Sequence, residues 1–214
     1  MFELIDKTVV NKRLRFTELY KIMHADKAVK ADGKSISSVV LTNVISPDTM
    51  NICAGEKVKE IYFFEFTLSS KTIPALFISA LDKETCLHTV FVLRYENQSM
   101  LYGCFKEING KKVKLGKYYC TEWLDVTDKK ALPLNIATTD DVYKAIIEEL
   151  VPLNISEGEG TADFVNRFEK ISKLKKTIEK IQRQVDSERQ SKKRFELNDE
   201  LKKLKKELYA LDNK

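Results

Sequence analysis

Two apolar seams near the end of the chain, separated by a phase slip, constrain it more than any other feature. Ile171, Leu174, Ile178, Ile181 and Val185 alternate three and four residues apart, the a/d spacing of a packed helix. Leu197, Leu201, Leu204, Leu208 and Leu211 repeat that spacing. Extending the first register past Val185 would instead place Glu188, Lys192, Phe195 and Asp199 on the seam. The two seams are thus two residues out of phase. A continuous coil absorbs insertions of three or four residues, whereas a slip of two fits poorly. A turn between Asp186 and Lys192 removes the conflict. Residues 161–214 are therefore predicted to form an antiparallel helical hairpin in which each helix covers the other's apolar face. The rival arrangement is one long helix that pairs with a second copy of the chain, a homodimer through the arm.

Charge follows the same division. From residue 161 onward sixteen Lys and Arg face ten Asp and Glu, a net of +6, while the preceding residues carry a net of −1. Lys173, Lys176, Lys180 and Arg183 lie three or four apart, opposite the first seam, and Lys192, Lys193 and Arg194 cluster at the expected tip. These seven residues are the candidate binding residues, for an acidic protein or for a phosphate backbone. The competing reading is a solvated coiled-coil exterior, with Glu169–Lys173, Glu179–Arg183 and Asp199–Lys203 paired at i,i+4. No aromatic residue interleaves with the stripe as a single-strand stacking surface would require.

A chain of 214 residues, 43% of them hydrophobic, leaves one domain of ordinary size ahead of the arm. The expected organisation is a globular body over residues 1–155, a linker over 156–160 (Ser-Glu-Gly-Glu-Gly) and the basic hairpin over 161–214. Thr161 or Asp163 is expected to cap the first arm helix. No run reaches the roughly 18 apolar residues needed to span a bilayer, and Met1 to Val10 lacks a secretory signal's apolar core, so a cytoplasmic location without membrane attachment is expected. Cys53, Cys86, Cys104 and Cys120 have no CxxC spacing and read as buried free thiols.

Within the body, Ile36 to Ile45 reads as a strand closed by Ser46-Pro47-Asp48. Val58 to Leu68 is apolar enough to be central, with Phe63, Phe64 and Phe66 at its heart. Pro74 opens a helix through Leu81, and Leu87 to Tyr95 returns as a strand. Met100 to Glu107 and Val113 to Leu124 are joined by Asn109-Gly110, a strong hairpin signal. A helix is expected over Phe16 to His24 and another over Asp140 to Leu150, with Phe2 to Asn11 extended or irregular. The predicted class is α+β, a sheet of about five strands, mixed or antiparallel, covered on one side by helices. Gly33-Lys34-Ser35 imitates the end of a phosphate-binding loop, but Ala28 stands where that loop needs glycine.

Several short stretches carry a resemblance. Ser46-Pro47-Asp48-Thr49-Met50-Asn51-Ile52, Val58-Lys59-Glu60-Ile61 and Tyr119-Cys120-Thr121-Glu122-Trp123, then Phe195-Glu196-Leu197-Asn198 and Glu200-Leu201-Lys202-Lys203-Leu204-Lys205, resemble a bacterial family labelled domain of unknown function 4391. The resemblance covers nearly the whole chain and implies no catalytic residues. It implies a setting beside DNA methyltransferase and helicase-type restriction genes, hence a role in DNA modification or phage defence with such a subunit as protein partner.

No metal, cofactor or catalytic residue is predicted. His24 and His88 have no ligand or triad partner at a useful spacing. Asp48 with Asp128-Lys129-Lys130 can be read as the remnant of a metal-dependent nuclease centre, although turn roles explain both acids. Glu122 beside Trp123 could mark a groove or be an ordinary half-exposed pair. The expectation is a non-enzymatic adaptor that binds protein or nucleic acid through its basic arm. The alternative is a divergent nuclease or DNA-binding subunit of a restriction system.

Overall fold

The computed structural model describes residues 2–4, 6–110, 112–125, 127–128, 130–131, 137–151, 153, 156 and 158–212. Two compact units divide the chain, Met1–Pro152 and Leu153–Lys214. The first begins with β1 (Phe2–Glu3), β2 (Val9–Leu14), α1 (Phe16–Ile22), α2 (Lys27–Asp32), β3 (Ile36–Ile45) and α3 (Pro47–Met50). Next come β4 (Ile61–Leu68), α4 (Ala75–Thr85), β5 (His88–Tyr95), β6 (Gln98–Asn109), β7 (Lys112–Cys120), β8 (Leu124–Asp125), β9 (Lys130–Ala131) and α5 (Thr139–Leu150). The second unit contains α6 (Thr161–Ser187) and α7 (Ser191–Asp212).

The chain is an α+β protein. Its main sheet has seven strands, ordered β2-β3-β4-β5-β6-β7 with β8 against β6, rather than the expected five. The additions are β2 and β8. Val-Val-Asn-Lys-Arg-Leu in β2 is almost wholly exposed and broken by a bulge with Asn11 at φ 56°, so it shows no alternation to betray an edge strand. Within this sheet the described pairings are antiparallel except β4–β5, whose parallel join by way of α4 makes the sheet mixed, and β1 pairs in parallel with β9 in a separate two-stranded sheet. The meander β5-β6-β7 turns at Gly110, φ 60°, as the Asn-Gly signal requires.

Strand parity separates two faces. Val39, Phe64, Phe66, Phe91, Leu93, Met100 and Tyr102 point to one and pack with Leu19 of α1, with Met23 at its C-cap and with Phe77, Ile78 and Leu81 of α4. Each fully buried Phe contributes roughly 1.5–3 kcal/mol. Residues of the opposite parity, Ile61, Phe63, Val90 and Leu101, are also buried. There the buried row Val142, Tyr143, Ile146, Ile147 and Leu150 of α5 lies on the sheet, and a Cβ on Gly103 would meet Leu150 Cδ1 at 3.1 Å. Helices therefore cover both faces, not one. The periodicity of α5 named its apolar side but not the side of the sheet it would choose.

The loop before β4 is fastened to the start of α5. Asp140 accepts the backbone N–H groups of Glu56 (2.8 Å) and Val58 (2.7 Å), and Gly55 N donates to Thr139 Oγ1 at 2.7 Å. Gly33-Lys34-Ser35 forms a 3-10 turn running from a helix into a strand, the reverse of a phosphate-binding loop. Cys104 is buried, but Cys53 and Cys120 are exposed, which corrects the expectation of buried thiols; all four are free.

In the second unit three residues, 188–190, separate the helices without Gly or Pro. Glu188 Oε1 accepts the Gln190 N–H at 2.8 Å and closes the turn. The N-cap of α6 is Gly160 with no side-chain cap, so neither Thr161 nor Asp163 fills that role. Of the expected linker, Glu157 lies outside the described residues. Glu159 is held by Arg167, through Nε to Oε1 at 2.8 Å and Nη2 to Oε2 at 2.7 Å.

Candidate functional site

The two arm helices run antiparallel, as their cross-connections require. On one flank Lys170 meets Glu207 at 3.1 Å. On the other Lys175 meets Asp212 at 3.6 Å and Lys205 Nζ donates to Gln182 Oε1 at 3.4 Å. Between the flanks Ile181, Val185 and Leu201 are buried, with Ile178, Leu197 and Leu204 packed on them. Ile178, Ile181 and Val185 of the first seam and Leu197, Leu201 and Leu204 of the second are thus spent on each other, as a turn at the phase slip requires.

Opposite that seam, Lys173, Lys176, Lys180 and Arg183 are all exposed. Among the described residues none of the four forms an ion pair, and the i,i+4 pairs Glu169–Lys173, Glu179–Arg183 and Asp199–Lys203 are not made. Lys176, Lys180 and Arg183 line an open recess of about 320 Å³ with Glu179, Gln184 and Ser187. Lys173 lies one turn before it. Lys192, Lys193 and Arg194 are exposed in the first turn of α7, which holds no acidic residue, and do not line the recess. Three cations at the positive end of a helix dipole cost roughly 0.3–1 kcal/mol each.

The sequence reading missed a second constellation, in the body. Asp82 of α4 and Lys106 of β6 form an ion pair with both side chains at 0% exposure. Asp82 Oδ1 also accepts from Thr89 Oγ1, while Oδ2 accepts from Tyr118 OH at 2.6 Å and from Cys104 Sγ at 3.6 Å. Lys106 Nζ donates further to the Leu87 carbonyl (2.6 Å) and Thr89 Oγ1 (2.5 Å). Burial draws the Lys106 ammonium down from its ordinary value while Asp82 opposes it. Burial also pushes the Cys104 thiol up to about 12, so it is protonated and no nucleophile. Tyr118 is held well above the ordinary phenol by burial and by Asp82. The signal was parity: Lys106 shares the inward face with Tyr102 and Cys104, and Asp82 follows Leu81 on the apolar side of its helix.

Each polar group of this network is turned on another, and both Asp82 oxygens are engaged. The network joins α4, β5, β6 and β7, with Asp82 and Lys106 wholly buried and Tyr118 half-buried at its margin. His88, on the opposite face of β5, meets the Tyr143 ring edge-on at 4.9 Å. His24 is exposed at φ 46°. Asp48 sits in the first turn of α3 behind the Ser46 cap, and Asp128 closes a turn to the Asp125 carbonyl. Lys129 lies outside the described residues, as does the side chain of Lys130. Among the described residues no three His, Cys, Asp or Glu gather as a metal site would need. Glu122 is exposed, and Trp123 is half-buried beneath Lys71 at 5.5 Å. No described helix is long and apolar enough to cross a membrane.

No curated protein and no solved structure matches the chain. The family model described as domain of unknown function (DUF4391) matches residues 2–208, so that it spans the sheet, the buried ion pair and nearly all of the hairpin. On that match the chain belongs to the DUF4391 family.

Proposed function

We propose that the protein is a non-enzymatic accessory subunit, an adaptor that engages an anionic macromolecular surface through the basic outer face of its hairpin. The observation that carries this reading is the row Lys173, Lys176, Lys180 and Arg183, four exposed cations without an ion-pair partner among the described residues. Because Ile178, Ile181, Val185, Leu197, Leu201 and Leu204 pack within the hairpin, that stretch offers a partner charge rather than an apolar seam, and a homodimer through the arm loses much of its attraction. The family resemblance supplies a setting, bacterial DNA modification or phage defence, in which a DNA methyltransferase or helicase subunit on its DNA would be the assembly joined.

The test is affinity capture from the native host with the full chain and with the variant K173E/K176E/K180E/R183E. Both should give the same circular dichroism spectrum, since the four residues touch nothing in the seam. The native chain should retain a protein or nucleic-acid partner with a steep salt dependence, and the variant should lose it. Equal retention by both would overturn the reading.

A further inference from the structure

The outer face of α6 carries charge without any apolar side chain. Lys173, Lys176, Lys180 and Arg183 fall within about 80° of one another around the helix axis and run about 15 Å along it. The other side chains on that arc are Ser172, Gln184 and Ser187, while Leu174, Ile178, Ile181 and Val185 all turn away from it. Two acids border the row. Glu179 lies at its edge, in the lining of the recess, and Glu169 stands one turn before Lys173; neither pairs with the row among the described residues. Four exposed cations against two acids leave the face positive. The contrast with the flanks is direct, since Lys170 and Lys175 are neutralised by Glu207 and Asp212 of α7 and the row is not.

We propose that this row holds the phosphate backbone of double-stranded DNA, with one strand's phosphates lying along Lys173, Lys176, Lys180 and Arg183. The inference rests on the reading of the arm as binding an anionic macromolecule, and it names that macromolecule. A protein partner would need something to bury: stable protein interfaces draw most of their energy from aromatic and other well-packed anchors at a desolvated centre, and this arc has none. A single strand stacks its bases on rings, which the arc also lacks. Charge is what remains, and duplex DNA carries about one charge per 1.7 Å of its axis, twice the density of either strand alone. At about 3.4 Å per phosphate on one strand, a row of about 15 Å meets four phosphates, one for each cation. Lys and Arg only donate, so the row has no acceptor for the 2′-hydroxyl that distinguishes RNA. Contacts to phosphate position a protein without reading bases, so the binding is indifferent to sequence.

Fluorescence anisotropy with the full chain tests this, using labelled DNA duplexes of two unrelated sequences, oligodeoxythymidine, duplex RNA and polyglutamate, all of similar length. The two DNA duplexes should bind alike and tighter than the other probes, with log K falling against log salt at a slope of about −3.6 for four phosphates. Lys176→Gln and Lys180→Gln should each flatten that slope by about 0.9, and Glu179→Gln should tighten binding. Lys206→Gln, exposed on the side of α7 turned away from the seam, should change neither. Circular dichroism checks that each variant keeps its helices. Oligodeoxythymidine, RNA or polyglutamate bound as tightly as duplex DNA would overturn the inference, and so would duplex binding indifferent to Lys176 and Lys180. Host capture that is still lost in K173E/K176E/K180E/R183E would then leave the adaptor reading standing, with an acidic protein as its partner. Binding to none of the probes would overturn the inference, and failure of host capture as well would remove the adaptor reading.

Discussion

Lys106 and Asp82 pair across the inner face of the sheet with no solvent reaching either side chain. Withdrawing two charges from water costs several kcal/mol each, recovered here because Thr89, Tyr118 and the Leu87 carbonyl complete the hydrogen bonding. Removing one partner strands the other. Asp82→Ala or Lys106→Met should each destabilise the fold by about 3–5 kcal/mol in urea denaturation. The double change Asp82→Leu/Lys106→Met should recover part of that loss but not all, because the buried Thr89 hydroxyl loses both its bond to Asp82 and its bond from Lys106. Single variants of native stability would show that the pair contributes little to folding.

The pair also shows where sequence reading stops. Hydrophobic period and turn chemistry are local, and they located the helix of Ala75, the strand beginning near His88, the Asn109-Gly110 hairpin and the two arm helices. The arm was legible down to its turn, because a seam and its phase slip lie within a few helical turns of each other. The Asp82–Lys106 contact joins residues 24 apart across a helix-to-sheet interface, and no single stretch announces it. Strand β2 was hidden for the opposite reason: as an exposed edge it has no apolar pattern, and only its ladder to β3 makes it a strand. The candidate binding lysines were visible in sequence, but their lack of ion pairs was not. Helical spacing offered Glu169 and Glu179 as partners, and the actual ion pairs run between the helices instead.

His88 supplies a pH dependence. Burial first, then the charge on Lys106, lowers its pKa from 6.5 to about 4, against weaker opposite pulls from Asp140 and Asp82. Between those values the unfolded chain binds more protons than the folded one. Stability should therefore fall as pH drops from about 6.5 towards about 4, with no contribution from this group above that range. Thermal melts of the native protein and of His88→Gln at pH 7 and pH 5 test this. The variant should lose less on acidification, and an unchanged slope would assign the loss to other groups.

Gly55 sits against the Asp140 carboxylate so closely that a Cβ would lie 2.5 Å from Asp140 Cγ and Oδ1 and 2.7 Å from the Asp140 backbone nitrogen. Gly55→Ala must displace the loop that delivers Val58 to the start of β4. The Glu56 and Val58 N–H bonds to the carboxylate would be lost with it. A cost of about 2–3 kcal/mol is expected, similar to that of Asp140→Ala, since hydrogen bonds to a charged group are worth about 1.5–3 kcal/mol. The two changes act on one contact, so their double mutant should cost much less than the sum. Additive losses in urea would separate the loop from α5.

Arg167 provides a way to loosen the hairpin without touching its basic outer face. Its guanidinium holds both oxygens of Glu159 and also donates from Nη1 to the Leu211 carbonyl at 3.2 Å, so one side chain ties the approach to α6 to the end of α7. With side-chain exposures of 6% and 12% the pair is nearly buried, and Arg167→Ala should cost about 3 kcal/mol. Lysine cannot restore it, because one ammonium does not reproduce the planar fork that meets two carboxylate oxygens and a carbonyl together. Hydrogen exchange should show both variants losing protection at the end of α7, while the turn near Glu188 and the sheet of the body keep theirs. The basic residues on the outer face of α6 are unchanged in either variant. Binding lost with that local opening would mean that the partner reads the paired helices as one surface. Binding retained would mean that a single helix face suffices.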